Sequence, residues 1–477
     1  MKTTLGLKNT SIQDLASFAH LVARKPSGLK VRRSLITHVT IDSREAGSGC
    51  LFIALPGTRT DGHDFIPDAI GKGSPAVMIQ EEHLQRYAPL LDATGTWAVV
   101  VPHVLTALQD MARGYMASVS HARIIGITGS CGKTTTKEML ASILAAQEKT
   151  VKTPGNYNSL LGLPLSLMQM GPDDQYGVFE MGIDHDGEME QMVSMVKPDY
   201  ALLTNIGISH AEKLGSVDAI VREKSRLLQN AQVGYFIGQD EPKKKAVAEL
   251  AGSPLGMWGQ DSIDGLTGVK DLGIWGWKFQ YQGKGIHLPA IGRHSLVDAC
   301  AALSVASYLG IAPDAVKSGL ENIQIPAGRS RVVPGHVTVI EDYYNAATAS
   351  TESILDFMAH ASWRGHKKVV LGDMKELGRY STAAHEMVGR RLLGAAPASA
   401  FLYGSHMEKT WQVLKRGGYS GTLVYSDDAE EMNTALKKNI EFGDLVLVKG
   451  SRSMAMEKFI PAITEINHDR GEKKCYA

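Results

Sequence analysis

The run GITGSCGKTTTKEML, residues 126–140, restricts what this chain can fold into more than any other stretch. The apolar segment RIIGITGS leads straight into it, and a segment with helical spacing follows. There Met139, Leu140, Ile143 and Leu144 recur at the three- and four-residue steps that build one apolar helix face. A buried strand, a glycine turn and a helix opening on Gly-Lys-Thr together make the setting of a phosphate loop. Glycines let backbone N–H groups turn toward phosphate oxygens, and the helix N-terminus adds partial positive charge. Lys133 is placed to reach the β- and γ-phosphates, and Thr134 to ligate Mg²⁺. An ordinary tight turn between strand and helix is the competing reading. The spelling is also unusual: the common loop reads G-x-x-x-x-G-K-[ST], whereas these glycines fall at Gly126, Gly129 and Gly132. Cys131, inside the loop, reads as a small tolerated side chain rather than a redox switch.

A chain of 477 residues exceeds one ordinary core, and its length alone predicts about three domains. Lys+Arg and Asp+Glu both total 50, and no basic run or basic-aromatic stripe stands out, which argues against nucleic acid as a partner. The four cysteines, Cys50, Cys131, Cys300 and Cys475, form no C-x-x-C pair and fit a reduced compartment. The start, MKTTLGLKNTSIQDLASFAH, has no uninterrupted apolar stretch of signal-peptide length, and no segment approaches that of a membrane span. A cytoplasmic monomer is the expectation.

The fold class expected is α/β, in three blocks. In the first, residues 1–120, AVMI (76–79) and TWAVVVP (96–102) read as buried strands, and ALQDMARGYMASVS as a helix. The second, residues 121–325, alternates strands such as YGVFEMG and DYALLTNIG with helices such as HSLVDACAALSVASYLG, the pattern of a largely parallel sheet. A Trp- and Gly-rich β insert is expected over residues 255–290. The third block, residues 326–477, alternates strand and helix strictly, a doubly wound Rossmann-like sheet without the G-x-G-x-x-G opening of a dinucleotide domain.

Ligands in open α/β sheets gather at the carboxyl ends of strands. Glu180 ends YGVFEMG and His210 follows ALLTNIG, so both are candidates for the neighbourhood of a metal beside the loop. Read alone, each also fits a plain loop residue. Lys224, on the helical VREKSRLLQ, reads from composition as a solvated lysine.

GITGSCGKTTT matches G-x-x-G-x-x-G-K-T-[ST], the form used by the Mur ligase family, and the chain resembles that family far beyond the loop. The matching stretches are IDSREAGSGCLFIALPGTRTDGHDF, TPGNYNSLLGLPLSL, FEMGIDHDGEM, LLTNIGISHAEKLGS, IGRHSLVDACAALSVA, VIEDYYNAATAS, VVLGDMKELG and LVKGSRSM, in family order over nearly the whole chain. The resemblance implies a UDP-substrate domain, a central P-loop ATPase-like domain and a C-terminal Rossmann-like domain. It implies an ATP-dependent amide ligation in peptidoglycan precursor synthesis, joining D-alanyl-D-alanine to UDP-N-acetylmuramoyl-tripeptide. ATP would phosphorylate the tripeptide carboxylate, and the dipeptide amine would attack the acyl phosphate. Catalysis is then mostly positioning and neutralisation of clustered negative charge.

Carried over position by position, Gly129, Ser130, Cys131, Gly132, Lys133, Thr134 and Thr135 would cradle ATP, with Asp298, Arg329 and Asp342 completing its site. Thr134, Glu180, His210 and Lys224 would hold Mg²⁺, Lys224 as a carbamate formed with CO₂. These last three and Lys133 would be the catalytic set. Ser43 and Arg44 would meet the UDP end, Asn158 the muramoyl substrate and Asn345 the dipeptide.

Several positions depart from the family pattern. The helix usually written H-N-x-x-N carries His294, Ser295 and Asp298. An ionised carboxylate only accepts hydrogen bonds, so weaker discrimination of ATP from GTP is expected there. Ser225 and Arg226 follow Lys224 in place of Gly-Glu, Asn158-Ser159 replaces a double asparagine, and Glu341-Asp342 is the acidic pair before the tyrosines. Competing functions are a ligase adding the third stem-peptide residue, whose Asn-Pro-Arg motif is absent, and a folate-polyglutamating ligase, which leaves the DSR-containing first block unexplained. A nucleotide-gated binding protein without ligation is the alternative from another class.

Overall fold

The computed structural model describes residues 2–27, 34–119, 121–208, 211–236, 241–251, 255–257 and 263–465. Three six-stranded sheets follow one another along the chain. In the first the order is Lys2–Thr4, His38–Thr40, Cys50–Ile53, Ala76–Gln80, Trp97–Val101, Ala23–Arg24. Its four inner strands are parallel and both edge strands antiparallel. The helix Val104–Ser118 leaves this sheet and packs on the next unit through Tyr115, whose hydroxyl accepts the Leu7 N–H at 2.7 Å and donates to the Met170 carbonyl at 2.9 Å. Burial pushes that phenol up to about 12.

The second sheet is wholly parallel, in the order Thr150–Lys152, Tyr176–Glu180, Arg123–Thr128, Tyr200–Leu203, Val233–Phe236, Leu255–Met257. Its inner strands read as unbroken apolar runs because helices cover both faces. The first three residues of the expected β insert therefore belong elsewhere, since Leu255–Met257 extends this sheet at its edge. The insert's antiparallel sheet is built from Leu266–Asp271, Trp277–Tyr281 and Lys284–Leu288.

The third sheet runs Arg331–Val333, Thr338–Asp342, Leu445–Lys449, Lys367–Gly372, Ser399–Tyr403, Thr422–Ser426. Only the first strand is antiparallel to its neighbour. Separate apolar clusters cover its two faces, the doubly wound arrangement that the strict alternation predicts. Among the described residues no helix is long and apolar enough to cross a membrane.

Candidate active site

The strand Arg123–Thr128 lies inside the second sheet, and the helix Lys133–Ala145 starts five residues beyond it. The three glycines of the motif do different things. Gly126 is a strand residue, and a Cβ there would sit 2.9 Å from Leu227 Cδ1, so its absence lets the helix Val217–Gln229 close on the sheet. Gly129 (φ +150°) and Gly132 (φ +80°) form the turn itself; a Cβ on the first would collide with Thr204 Oγ1, and on the second with Asp298 Oδ1. The displaced first glycine is thus a packing residue, and the loop proper is residues 129–133.

Glu180 ends its strand at 1% exposure, directly beside the start of the loop helix. Its Oε2 accepts from Thr134 Oγ1 at 2.9 Å, and its Oε1 from Asn158 Nδ2 at 2.6 Å. The Glu180 N–H donates to Thr153 Oγ1 at 2.9 Å. One turn along the helix, the fully buried Lys137 puts its ammonium on the carbonyls of Thr153 (2.8 Å) and Gly155 (3.1 Å), 3.0 Å from Glu138 and 3.8 Å from Glu180. Hydroxyl and carboxylate oxygens this close are hard donors of the kind Mg²⁺ takes, so Thr134 and Glu180 fit that ion. The loop carrying Asn158 also reaches the first block, where Gln109 Nε2 donates to the Leu160 carbonyl at 3.1 Å.

Lys133 and Lys224 both donate to the Gly129 carbonyl, at 2.7 and 3.1 Å. Lys224 is fully buried, not the solvated lysine of the composition reading. Burial, and then the neighbouring Lys133, push its pKa far below the ordinary lysine value. Burial lowers Lys133 as well, with Glu180 opposing. Lys224 lies behind the loop and does not line the cavity in front of it. His210 falls outside the described residues.

That cavity, of about 520 Å³, brings residues 130–135, Asn158, Glu180 and Asp298 together with Arg329, Asp342 and Asn345 from the third block. The Arg329 guanidinium stacks 3.8 Å over the Tyr344 ring. Asp342 takes the Lys449 ammonium at 2.6 Å on one oxygen and the Ser330 N–H at 3.1 Å on the other. His294 stands between Ser353 (3.0 Å) and Ser330 (3.3 Å), and burial lowers its pKa.

Ser295 and Asp298 share the helix Gly292–Tyr308. The Ser295 hydroxyl donates to its own helix at Ile291 O (2.8 Å) and does not line the cavity. Asp298 is buried against the loop, and burial pushes its pKa well up, with Thr136 and Arg329 opposing. Burial thus favours the neutral carboxyl, which can donate as well as accept.

Ser43 and Arg44 lie away from this cavity, in the first block. Asp42 caps their short helical turn through the Arg44 N–H at 3.0 Å and pairs with the exposed Arg44 guanidinium at 2.6 Å. That partner holds the Asp42 carboxyl down at about 2. Asp61, His63 and His83 also cluster in the first block. There His63 Nε2 accepts the Gln80 N–H, so Nδ1 carries the proton toward Asp61 and has no lone pair for a metal.

Sequence reasoning passed over three lining or supporting residues. Lys137 shares a helix face with Leu140 and Leu144, the periodicity of a buried position. Lys449 and Asn205 stand at or just past the carboxyl ends of strands, the same rule that picked out Glu180.

A phosphate-type loop on a parallel sheet, faced by a doubly wound sheet across one cavity, defines a multidomain nucleotide-dependent ligase fold. The chain belongs to the Mur ligase family. The family's catalytic domain matches residues 35–116, its middle domain residues 127–306, and its glutamate ligase domain residues 328–452. A UDP-N-acetylmuramoyl-tripeptide–D-alanyl-D-alanine ligase of Treponema pallidum is 33% identical, over 89% of this chain and 93% of its own length. The Bacillus subtilis protein of the same name is 29% identical over 94% and 98%. Among solved structures, MurF from Acinetobacter baumannii superposes with a TM-score of 0.82 at 27% identity, covering 97% of this chain and all of that one. MurF ligase from Thermotoga maritima in complex with ADP gives 0.75 at 26% identity, over 89% and 96%.

Proposed function

We propose that the chain is an ATP-dependent ligase that joins D-alanyl-D-alanine to UDP-N-acetylmuramoyl-tripeptide through an acyl phosphate, in the cytoplasm. The observation that carries this reading is the single cavity in which Lys133, Thr134, Glu180 and Asn158 face Arg329, Asp342, Asn345 and Lys449. A nucleotide on the loop would present its γ-phosphate between the two groups. Lys133 would neutralise that phosphate, and Asn158 would set the acceptor carboxylate beside it. Asn345, across the cavity, would hold the incoming dipeptide for attack. Ser43 and Arg44 would bind the UDP end in the first block. In this scheme the three sheets mark three domains, each bringing one substrate.

Mg²⁺ held by Thr134 and Glu180 would supply neutralisation of triphosphate charge. We assign Lys224 the role of a carbamate, working with His210. Only a neutral amine reacts with CO₂, and burial beside Lys133 favours that form. Phosphate release should require ATP, UDP-tripeptide and dipeptide together; release without the dipeptide at the same rate would overturn ligation. Protein equilibrated with ¹³C-bicarbonate should give a carbamate carbon resonance that Lys224→Arg lacks, and an identical spectrum from the variant would exclude the carbamate.

A further inference from the structure

The segment after the strand Tyr200–Leu203 clasps the nucleotide loop from one side. Asn205 Oδ1 accepts the N–H groups of two successive loop residues, Ser130 at 3.1 Å and Cys131 at 2.9 Å. The Asn205 carbonyl also takes the Ser130 N–H at 3.0 Å. Around this pair, the Gly207 N–H donates to Ser130 Oγ at 2.8 Å and Thr204 Oγ1 donates to the Cys131 carbonyl. Asn205 itself lines the cavity.

We propose that Asn205 is the positioning residue of the nucleotide loop, its neutral amide oxygen holding Ser130 and Cys131 while the first-turn N–H groups of the helix Lys133–Ala145 face the phosphates. Those helical N–H groups have no partner within their helix, whereas the N–H groups of Ser130 and Cys131 are already satisfied by protein. The loop is thereby held in shape before a ligand arrives, and ordering it costs the ligand nothing. The choice of an amide follows from charge. A carboxylate at this position would accept the same two N–H groups more strongly, but would set a negative charge beside a polyphosphate in a partly buried site.

This rests on the nucleotide-binding reading above, and the aspartate variant separates the two roles of the side chain. Full-length wild type, Asn205→Asp and Asn205→Ala are compared by calorimetric titration with ADP–Mg²⁺ and by thermal melting. Asn205→Asp should melt at or above the wild-type temperature yet bind ADP about tenfold or more weakly, the loss shrinking as salt is raised. Asn205→Ala should weaken ADP binding roughly threefold to tenfold, with no such salt dependence. A purely structural residue would not move stability and affinity in opposite directions. Unchanged ADP binding by Asn205→Asp overturns the inference. So does tighter binding by Asn205→Ala, which would make the amide a competitor for the phosphate site. A wild-type chain that binds no ADP overturns the nucleotide reading itself, and the inference with it.

Discussion

Asp298, expected at the nucleotide, is a buried acid that lies against the turn of the loop and lines the cavity. Its carboxyl pKa is raised by burial, so the folded chain holds a proton that the unfolded chain releases near the ordinary aspartate value. Stability from this group is therefore full at low pH and is lost as pH rises toward the raised folded value. An asparagine in its place would not titrate. In ligand-free melts, Asp298→Asn should match the wild type near about pH 4 and melt progressively higher than it toward about pH 8, each unit of pKa displacement being worth about 1.4 kcal/mol. A constant offset across that range would mean the carboxyl is ionised in the fold. Lys137, also buried, has two carbonyls and two carboxylates around its nitrogen, the partners a buried polar group needs.

At the scale of elements, the loop joins strand to helix in a conformation only glycine adopts cheaply. Gly132 caps the helix Lys133–Ala145 at φ +80°, with Asp298 filling the space a Cβ would need. Gly132→Ala should cost about 1–3 kcal/mol from backbone strain alone, and should also lose ADP binding because the first helical turn shifts. Calorimetry and melting on the same preparation check both, and retained ADP affinity would show that the turn tolerates a side chain. The strands and helices flanking this turn were legible in the apolar runs and helical spacing. The clasp by residues 204–207 was not, because hydrogen bonds between segments about 75 residues apart leave no periodic trace.

At the scale of the molecule, the three units are joined unequally. The first and second share one continuous apolar core running from Leu5 to Ala251. The second and third share a smaller apolar patch, where Ile291, Ile208 and Ile274 join the third unit's cluster, beside polar contacts of His294 with Ser330 and Ser353, the Glu212 N–H on the Glu376 carbonyl at 3.4 Å, and Arg379 on the Gly215 carbonyl at 3.4 Å. Small polar interfaces permit relative motion, whereas large apolar ones resist it. The third unit is thus the one expected to move, closing over the cavity and excluding water from the acyl phosphate. Solution scattering with ADP–Mg²⁺ and UDP-tripeptide should show a more compact particle than the free chain, with the change fitted by rotation of residues 326–465 alone. An unchanged profile at saturating ligand would count against closure.

Sequence alone determined the loop, the parallel sheet around it, the doubly wound third unit and the resemblance to the Mur ligases, because each rests on local periodicity or on a contiguous motif. Tertiary structure decided which charges are buried. Lys224 reads as a solvated lysine along the chain and becomes buried only when distant segments close over it. It likewise decided the burial of Asp298, the turning away of Ser295, and the capture of two loop N–H groups by Asn205. Desolvation and long-range hydrogen bonds depend on what packs against a side chain, and that neighbourhood exists only in the fold.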